Sequence, residues 1–363
     1  MKEAVKRKIA KIEEFYPPER LTKSKERIER LWKNLPPADR LPFTAFPIAL
    51  DTYNASIDFE KRLHEHLDEF IRRGRFGDDF IPAFSLGCRQ GSIPSMFGAD
   101  EVVVGEDYSC EKIIHSLEDA KKLPEAKLTS DMVAYKWVEM AKYFIEETNG
   151  KIPVHVCDMQ GPLDVAGKIW GYDNLYMAAL DDPDTVHDVL NKTADAFICL
   201  WNAQKNAIGD DLFIGTHLTP FDWIPADNGA TASVDSMVMV SPDFFDEFYN
   251  PALTKISKEY GGLVIHACGW FNSVIPAINK IPLIKGVHAS QMKVTEMMAD
   301  GVDKEIMILS ADDVMELVFE LNKKGKQKVY PYVRPWPNIG FHEWTEDEWS
   351  RIEEYESKIL ELA

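Results

Sequence analysis

The strongest constraint on this chain is a run of short apolar segments separated by long amphipathic ones. The apolar segments are Phe43–Leu50, Phe80–Leu86, Val154–Met159, Leu212–Thr216, Leu263–Cys268, Ile284–Ala289, Glu305–Ser310 and Val329–Val333. Each has the length of a buried strand. Between them, Ser130–Thr148, Pro183–Gly209, Pro242–Tyr260, Phe271–Lys280 and Ala311–Lys324 carry apolar residues at helical spacing. Strands alternating with helices form parallel βαβ units. Eight such units in a chain of 363 residues suit an α/β fold, a single (β/α)8 barrel of the TIM type. A doubly wound open sheet is the alternative, but no Gly-x-Gly-x-x-Gly follows a strand to mark a dinucleotide fold. Residues 1–38 read as an N-terminal helical arm, with Val5, Ile9, Ile12 and Phe15 on one helix and Ile28, Leu31 and Trp32 on the next. Residues 39–363 form the barrel. Glu101–Gly105 reads as an extra short strand, part of a loop hairpin.

Composition narrows the partners. The formal net charge of −19 argues against nucleic acid and anionic membranes. No apolar run reaches the roughly 18–20 residues that span a bilayer. The charged N-terminus has no secretory apolar core, so a cytoplasmic location is expected. Five scattered cysteines are not a disulfide framework. No arginine occurs from Gln90 to Val333, so a long central stretch lacks the usual bidentate clamp for carboxylates and phosphates.

In a barrel, chemistry sits at the carboxyl ends of the strands. His266 and Cys268 stand two apart at the end of such a strand and so share a face. They are half of a zinc site. No cysteine follows Cys268, so a completing thiolate would come from Cys88 or Cys157, with His217, Asp227 and Glu296 as the nitrogen or oxygen alternatives. Cys199 lies in an apolar helical segment and reads as core. Other strand ends are also polar: Arg89 and Gln90, Asp158 and Gln160, His217, and His288. Asp222, Trp223 and Asp227 follow the fourth strand. Trp170, Tyr172, Phe221, Trp223, Trp270, Phe271, Trp336 and Phe341 could wall a pocket for a planar or cationic methyl donor.

Five stretches carry a family likeness in order: Gly91–Gly98, Gln160–Ala166, Ala179–His187, Ser241–Phe248 and Ile265–Gly269. They resemble the uroporphyrinogen decarboxylase superfamily, particularly its cobalamin-linked methyltransferases. The likeness implies a (β/α)8 barrel. It implies a methyl group moved between a corrinoid (cobalamin) protein and a small methyl donor or acceptor, with zinc-assisted activation. His266 and Cys268 would be metal ligands. Asp158, Gln160, Asp222 and Asp227 would orient substrate or move protons. Arg89, Gln90, Trp223, His217 and Arg334 would bind substrate. The chain has no Asp-x-His-x-x-Gly cobalamin motif, so the corrinoid would arrive on a partner protein; the arm could mediate a homodimer.

The sequence departs from the family in two places. The Arg-Gln-Ala-Gly-Arg-Tyr element of true uroporphyrinogen decarboxylases has no counterpart in Arg40–Ala49, and the later cysteine of the methyltransferases is missing around Lys328–Val333. A tetrapyrrole decarboxylase and a non-catalytic ligand-binding barrel are the alternative readings.

Overall fold

The computed structural model describes residues 2–45, 57–87, 89–105, 107–216, 223–310, 315–333 and 345–362. Among them ten strands form. They are β1 (Thr44–Ala45), β2 (Glu101–Val104), β3 (Asp107–Cys110), β4 (Val154–His155), β5 (Phe213–Ile214), β6 (Ala230–Ser233), β7 (Leu263–Ala267), β8 (Ile284–Ala289), β9 (Met307–Ser310) and β10 (Val329–Val333). Six of them build one sheet in the order β1-β10-β9-β8-β7-β6, and every pairing in it is parallel. β4 and β5 form a parallel pair. β2 and β3 form the antiparallel hairpin expected near Glu101.

The fold is therefore α/β with a parallel sheet, but its strands do not close into a continuous eight-stranded ladder among the described residues. Single contacts link the six-stranded sheet to the pair: Gln160 bridges Ser233, Phe84 bridges Val154, and the Asp79 N–H donates to the Phe43 carbonyl at 2.9 Å. Two departures from the expected strand set explain this. The segment 80–86 is no strand; Pro82 removes a ladder donor, and only Phe84 pairs. Conversely, β6 is a strand that the apolar pattern does not announce. All four of its residues are buried, but they are Ala, Thr, Ala and Ser, too small to read as an apolar run, and the chain enters β6 at very close range to the lead-in of β7. A Cβ on Gly229 would lie 2.0 Å from the Gly262 carbonyl oxygen, so the φ of +80° at Gly229 and the missing side chain are both required.

Two helices, Glu3–Phe15 and Pro18–Trp32, open the chain. The first adds Val5, Ile9 and Ile12 to the main core. The second plugs the amino end of the sheet: Ile28, Leu31 and Trp32 cluster with Phe43, Ile81, Val264, Met307, Leu309 and Tyr330. Gly286 leaves the space for Trp32, since a Cβ there would approach its ring to 3.2 Å. An ion-pair network fastens the same end. Asp79 accepts from Ser24, Arg27, Arg40 and the Phe43 N–H, while Arg73 pairs with Asp78 at 2.6 Å. No described helix is long and apolar enough to cross a membrane.

Candidate metal and substrate site

β7 runs inward-facing Val264 to His266, and Cys268 follows just past its end. β6 lies beside it with Ser233 level with His266, and β8 on the other side places His288 level with it. The chain leaving β6 turns through Val234 into a short helical turn, Asp235–Met239. That turn brings Asp235 to Cys268, whose N–H donates to Asp235 Oδ1 at 2.7 Å. Asp235, His266 and Cys268 offer three ligand atoms within 4.8 Å of one another, the only such cluster of three or more His, Cys, Asp or Glu found among the described residues.

The donor set fits zinc. Nitrogen, thiolate and carboxylate ligands are its usual mixture, and tetrahedral coordination at 2.0–2.3 Å places ligand atoms about 3.3–3.8 Å apart. Cys268 Sγ lies 3.5 Å from His266 Nε2, and His266 Nε2 lies 3.9 Å from Asp235 Oδ1. The other ring nitrogen, His266 Nδ1, is 2.7 Å from His288 Nδ1. A hydrogen bond there fixes the ring and turns Nε2 toward the cluster. Cys268 Sγ also lies 3.6 Å from Ser290 Oγ. Burial raises the Cys268 thiol pKa, and the Asp235 and Asp158 carboxylates push it the same way.

A further strand end closes this layer. Asp158 accepts from Ser233 Oγ at 2.6 Å, and Gln160, which pairs with Ser233, is buried. Cys157 points away. Its N–H donates to Gln204 of the helix Pro183–Ile208, and burial holds its thiol pKa far above normal. Cys157 therefore faces the outer helices and not the cluster; the completing ligand is offered by Asp235.

The remaining anticipated residues fall in different places. Arg89 pairs with Glu101 at 2.5 Å and stacks 3.8 Å over Tyr108, both on the hairpin. Gln90 accepts from Lys168 at 2.7 Å. Trp223 and Asp227 precede β6 and so lie at the opposite, amino end. Trp223 lines a cavity of about 250 Å³ with Ile9, Tyr16 and Pro153, and Asp227 lies 3.8 Å from Lys33 of the second arm helix. The unannounced strand β6 is the reason: residues read as the loop after one strand are the lead-in to the next. Glu296 caps its own helix through the Lys293 N–H. Cys199, expected in the core, is exposed. Cys88, His217, Asp222 and Arg334 lie outside the described residues.

The aromatic wall is not assembled as expected. Trp170 and Phe271 are core, and Phe221, Trp336 and Phe341 lie outside the described residues. Trp270 is the exposed ring beside the cluster, accompanied by exposed Val238 and Met239. Asp235 is the site residue that the apolar pattern hides. Its one signal is the step from small buried residues, Ala230–Ser233, to an acid two positions on.

Asp164 supports the Asp235 turn from below. It accepts from the Ser236 N–H at 2.8 Å and from Tyr249 OH at 2.6 Å. Complete burial, with the charge of Asp235 adding to it, raises the Asp164 pKa to about 7.

Comparison with known proteins agrees with this fold. Residues 94–309 match the family described as Uroporphyrinogen decarboxylase (URO-D). Among curated proteins no sequence matches. A solved methyltransferase from Methanosarcina mazei has a similar fold, with a TM-score of 0.62 over 92% of this chain and 99% of its own, at 16% identity.

Proposed function

The chain belongs to the uroporphyrinogen decarboxylase family, and from that premise we propose that it is a methyltransferase moving a methyl group between a corrinoid protein and a small donor or acceptor. The observation that carries this reading is the Asp235–His266–Cys268 cluster at the carboxyl ends of β6 and β7. These three residues would hold zinc, with Asp235 in the role of the missing cysteine. Bound zinc supplies Lewis acidity, which lets a coordinated thiol ionise near neutral pH.

The protein's own groups prepare that position. His288 holds the His266 ring, so the ligand nitrogen arrives already aimed. Cys268 has a raised pKa and must lose its proton to serve as a ligand, so metal uptake is coupled to proton release. The Asp235 carboxylate is kept in place by the Cys268 N–H and by the Asp164–Ser236 bond. Asp158 and Gln160 face the same layer and would orient the small substrate. Val238, Met239 and Trp270 give the rim an exposed apolar patch beside the cluster, which supports docking of the corrinoid-bearing partner there.

Metal content and methyl transfer from methylcobalamin to a panel of thiols test the reading together. The wild-type protein should bind about one zinc and transfer the methyl group. Asp235→Ala, His266→Ala and Cys268→Ser should each lose metal and at least about a hundredfold in rate. Zinc-free protein with full transfer would remove the metal from the mechanism. Carbon dioxide release from uroporphyrinogen, without methyl transfer, would instead establish a decarboxylase.

A further inference from the structure

Asp235 is anchored differently from the other two candidate ligands. His266 belongs to β7 and Cys268 follows it directly, whereas Asp235 sits on a short turn past the end of β6 and is only partly buried. The same oxygen, Oδ1, faces His266 Nε2 and accepts the Cys268 N–H, so a small shift of the turn would displace it from both. A ligand on a loop needs a supporting shell to hold such a geometry. Two buried side chains supply one from beneath. Asp164 accepts from the Ser236 N–H at 2.8 Å and from the Tyr249 hydroxyl at 2.6 Å.

The backbone that delivers Tyr249 is irregular. Phe245–Tyr249 is a π turn, in which the Asn250 N–H donates to the Phe245 carbonyl. Pro251 is the local cause. It has no N–H to offer the Glu247 carbonyl, and its ring crowds that carbonyl, so the α-helical pattern is interrupted there. Turns of this kind are rare and concentrate at functional sites. This one sets the Tyr249 hydroxyl under the joint between the 160–161 segment and the end of β6. At that joint the Gly161 N–H donates to the Ser233 carbonyl at 2.6 Å. A Cβ on Gly161 would lie 2.3 Å from the Tyr249 hydroxyl and 2.8 Å from the Val234 side chain. The bare glycine therefore lets the hydroxyl reach Asp164.

We propose that Tyr249 is a positioning residue for the Asp235 ligand: acting through Asp164, it fixes the Asp235–Ser236 turn and so keeps the carboxylate oxygen beside Cys268 and His266. Tyr249 itself touches neither metal nor substrate. The inference rests on reading Asp235 as a zinc ligand. It is independent of whether a methyl group is transferred.

Chelator competition on the full-length protein tests it, with Asp235→Ala as the reference. Tyr249→Phe and Asp164→Ala should each weaken zinc binding by about tenfold. Asp164→Asn can still accept the Ser236 N–H and donate to the Tyr249 oxygen, so it should stay within about threefold of wild type. In cobalt(II)-loaded Tyr249→Phe the visible d–d bands should lose intensity as water replaces the carboxylate. Metal-free protein gives a second readout, because Asp235 is the acceptor of the Cys268 N–H. Deuterium exchange at that amide should quicken by about tenfold in Tyr249→Phe, approaching the Asp235→Ala rate. A role in packing alone would lower the unfolding midpoint and leave the cobalt bands and the Cys268 exchange of the folded variants as in wild type; that result would overturn the proposal. Zinc binding as weak in Asp164→Asn as in Asp164→Ala would overturn it too. Wild-type protein without affinity for zinc would sink the metal reading, and the Cys268 exchange rates would still decide whether Tyr249 holds the turn.

Discussion

Two buried acceptors at opposite ends of the parallel sheet, Asp79 and Gln160, are satisfied in different ways. At the amino end, Asp79 is fully buried and each of its oxygens takes two donors: Ser24 and Arg27 on Oδ1, Arg40 and the Phe43 N–H on Oδ2. That matches the roughly four acceptor positions of a carboxylate. At the carboxyl end, Gln160 Oε1 is buried with no donor among the described residues, and the charges of Asp235 and Asp158 raise the Cys268 thiol pKa. The Asp79 carboxylate has its acceptor positions filled, and the Gln160 carbonyl has no donor among the described residues. A barrel-type fold separates stability from chemistry in this way, keeping one face for holding the strands together and the other for ligands. Substitutions at the two ends should therefore differ in what they damage.

The largest expected effect is at the amino end. Asp79→Ala would leave Arg27 and Arg40 facing a buried gap, and removing one partner of a buried ion pair costs about 3–5 kcal/mol. Urea denaturation should show that loss, while folded Asp79→Ala protein should keep its zinc. A loss of zinc at unchanged stability would break the division between the ends.

At the carboxyl end, His288→Leu should do the reverse. It removes the hydrogen bond that orients His266, and such supporting partners typically contribute 10–100-fold in metal affinity. Competition with a zinc-sensitive chelator would measure this. The unfolding midpoint should move much less than in Asp79→Ala.

The sequence displays these two ends unequally. Large apolar residues announce β7 to β10, and the His266–Cys268 spacing alone places two ligands on one face. β6 is hidden because its residues, Ala230–Ser233, are small and carry no apolar signal. With β6 unseen, Asp235 could not be placed, and Trp223 and Asp227 were assigned to the wrong end of the sheet. The expected strand Val154–Met159 ends at His155 in the structure, so Cys157 lies just past it, and its face is not legible because the alternation Cys157, Asp158, Met159, Gln160 is resolved only by Gln204 packing against one side. The amino-end latch is equally invisible beforehand. Asp78 and Asp79 look like ordinary loop acids until the arm's arginines fold onto them.

A pH experiment sharpens the contrast, because the helix Phe59–Arg73 carries a titratable group devoted to packing. His66 accepts the Ser85 N–H on Nε2 and directs Nδ1 to the Arg62 carbonyl, the neutral tautomer. Burial, and then the nearby Arg62 charge, lower its pKa from 6.5 to about 3. A depressed folded pKa means the unfolded chain takes up the proton first. The stability this group contributes is present above pH 6.5 and is lost as the pH falls toward 3. Between pH 7 and pH 5 the expected loss is about 2 kcal/mol. His66→Gln should flatten that part of the profile, and an unchanged slope would show that other groups set it.

The smallest effect is the most diagnostic. If Gln160 Oε1 is held without a donor for a ligand's sake, the free protein bears a cost that binding removes. Gln160→Met keeps the volume and discards the orphaned acceptor, so the variant should be more stable than wild type by about 1 kcal/mol. Most substitutions of buried residues destabilise, so a gain here could not be mistaken for generic damage. A destabilised Gln160→Met would mean that the amide already has its donor in the folded protein, and the contrast with Asp79 would vanish.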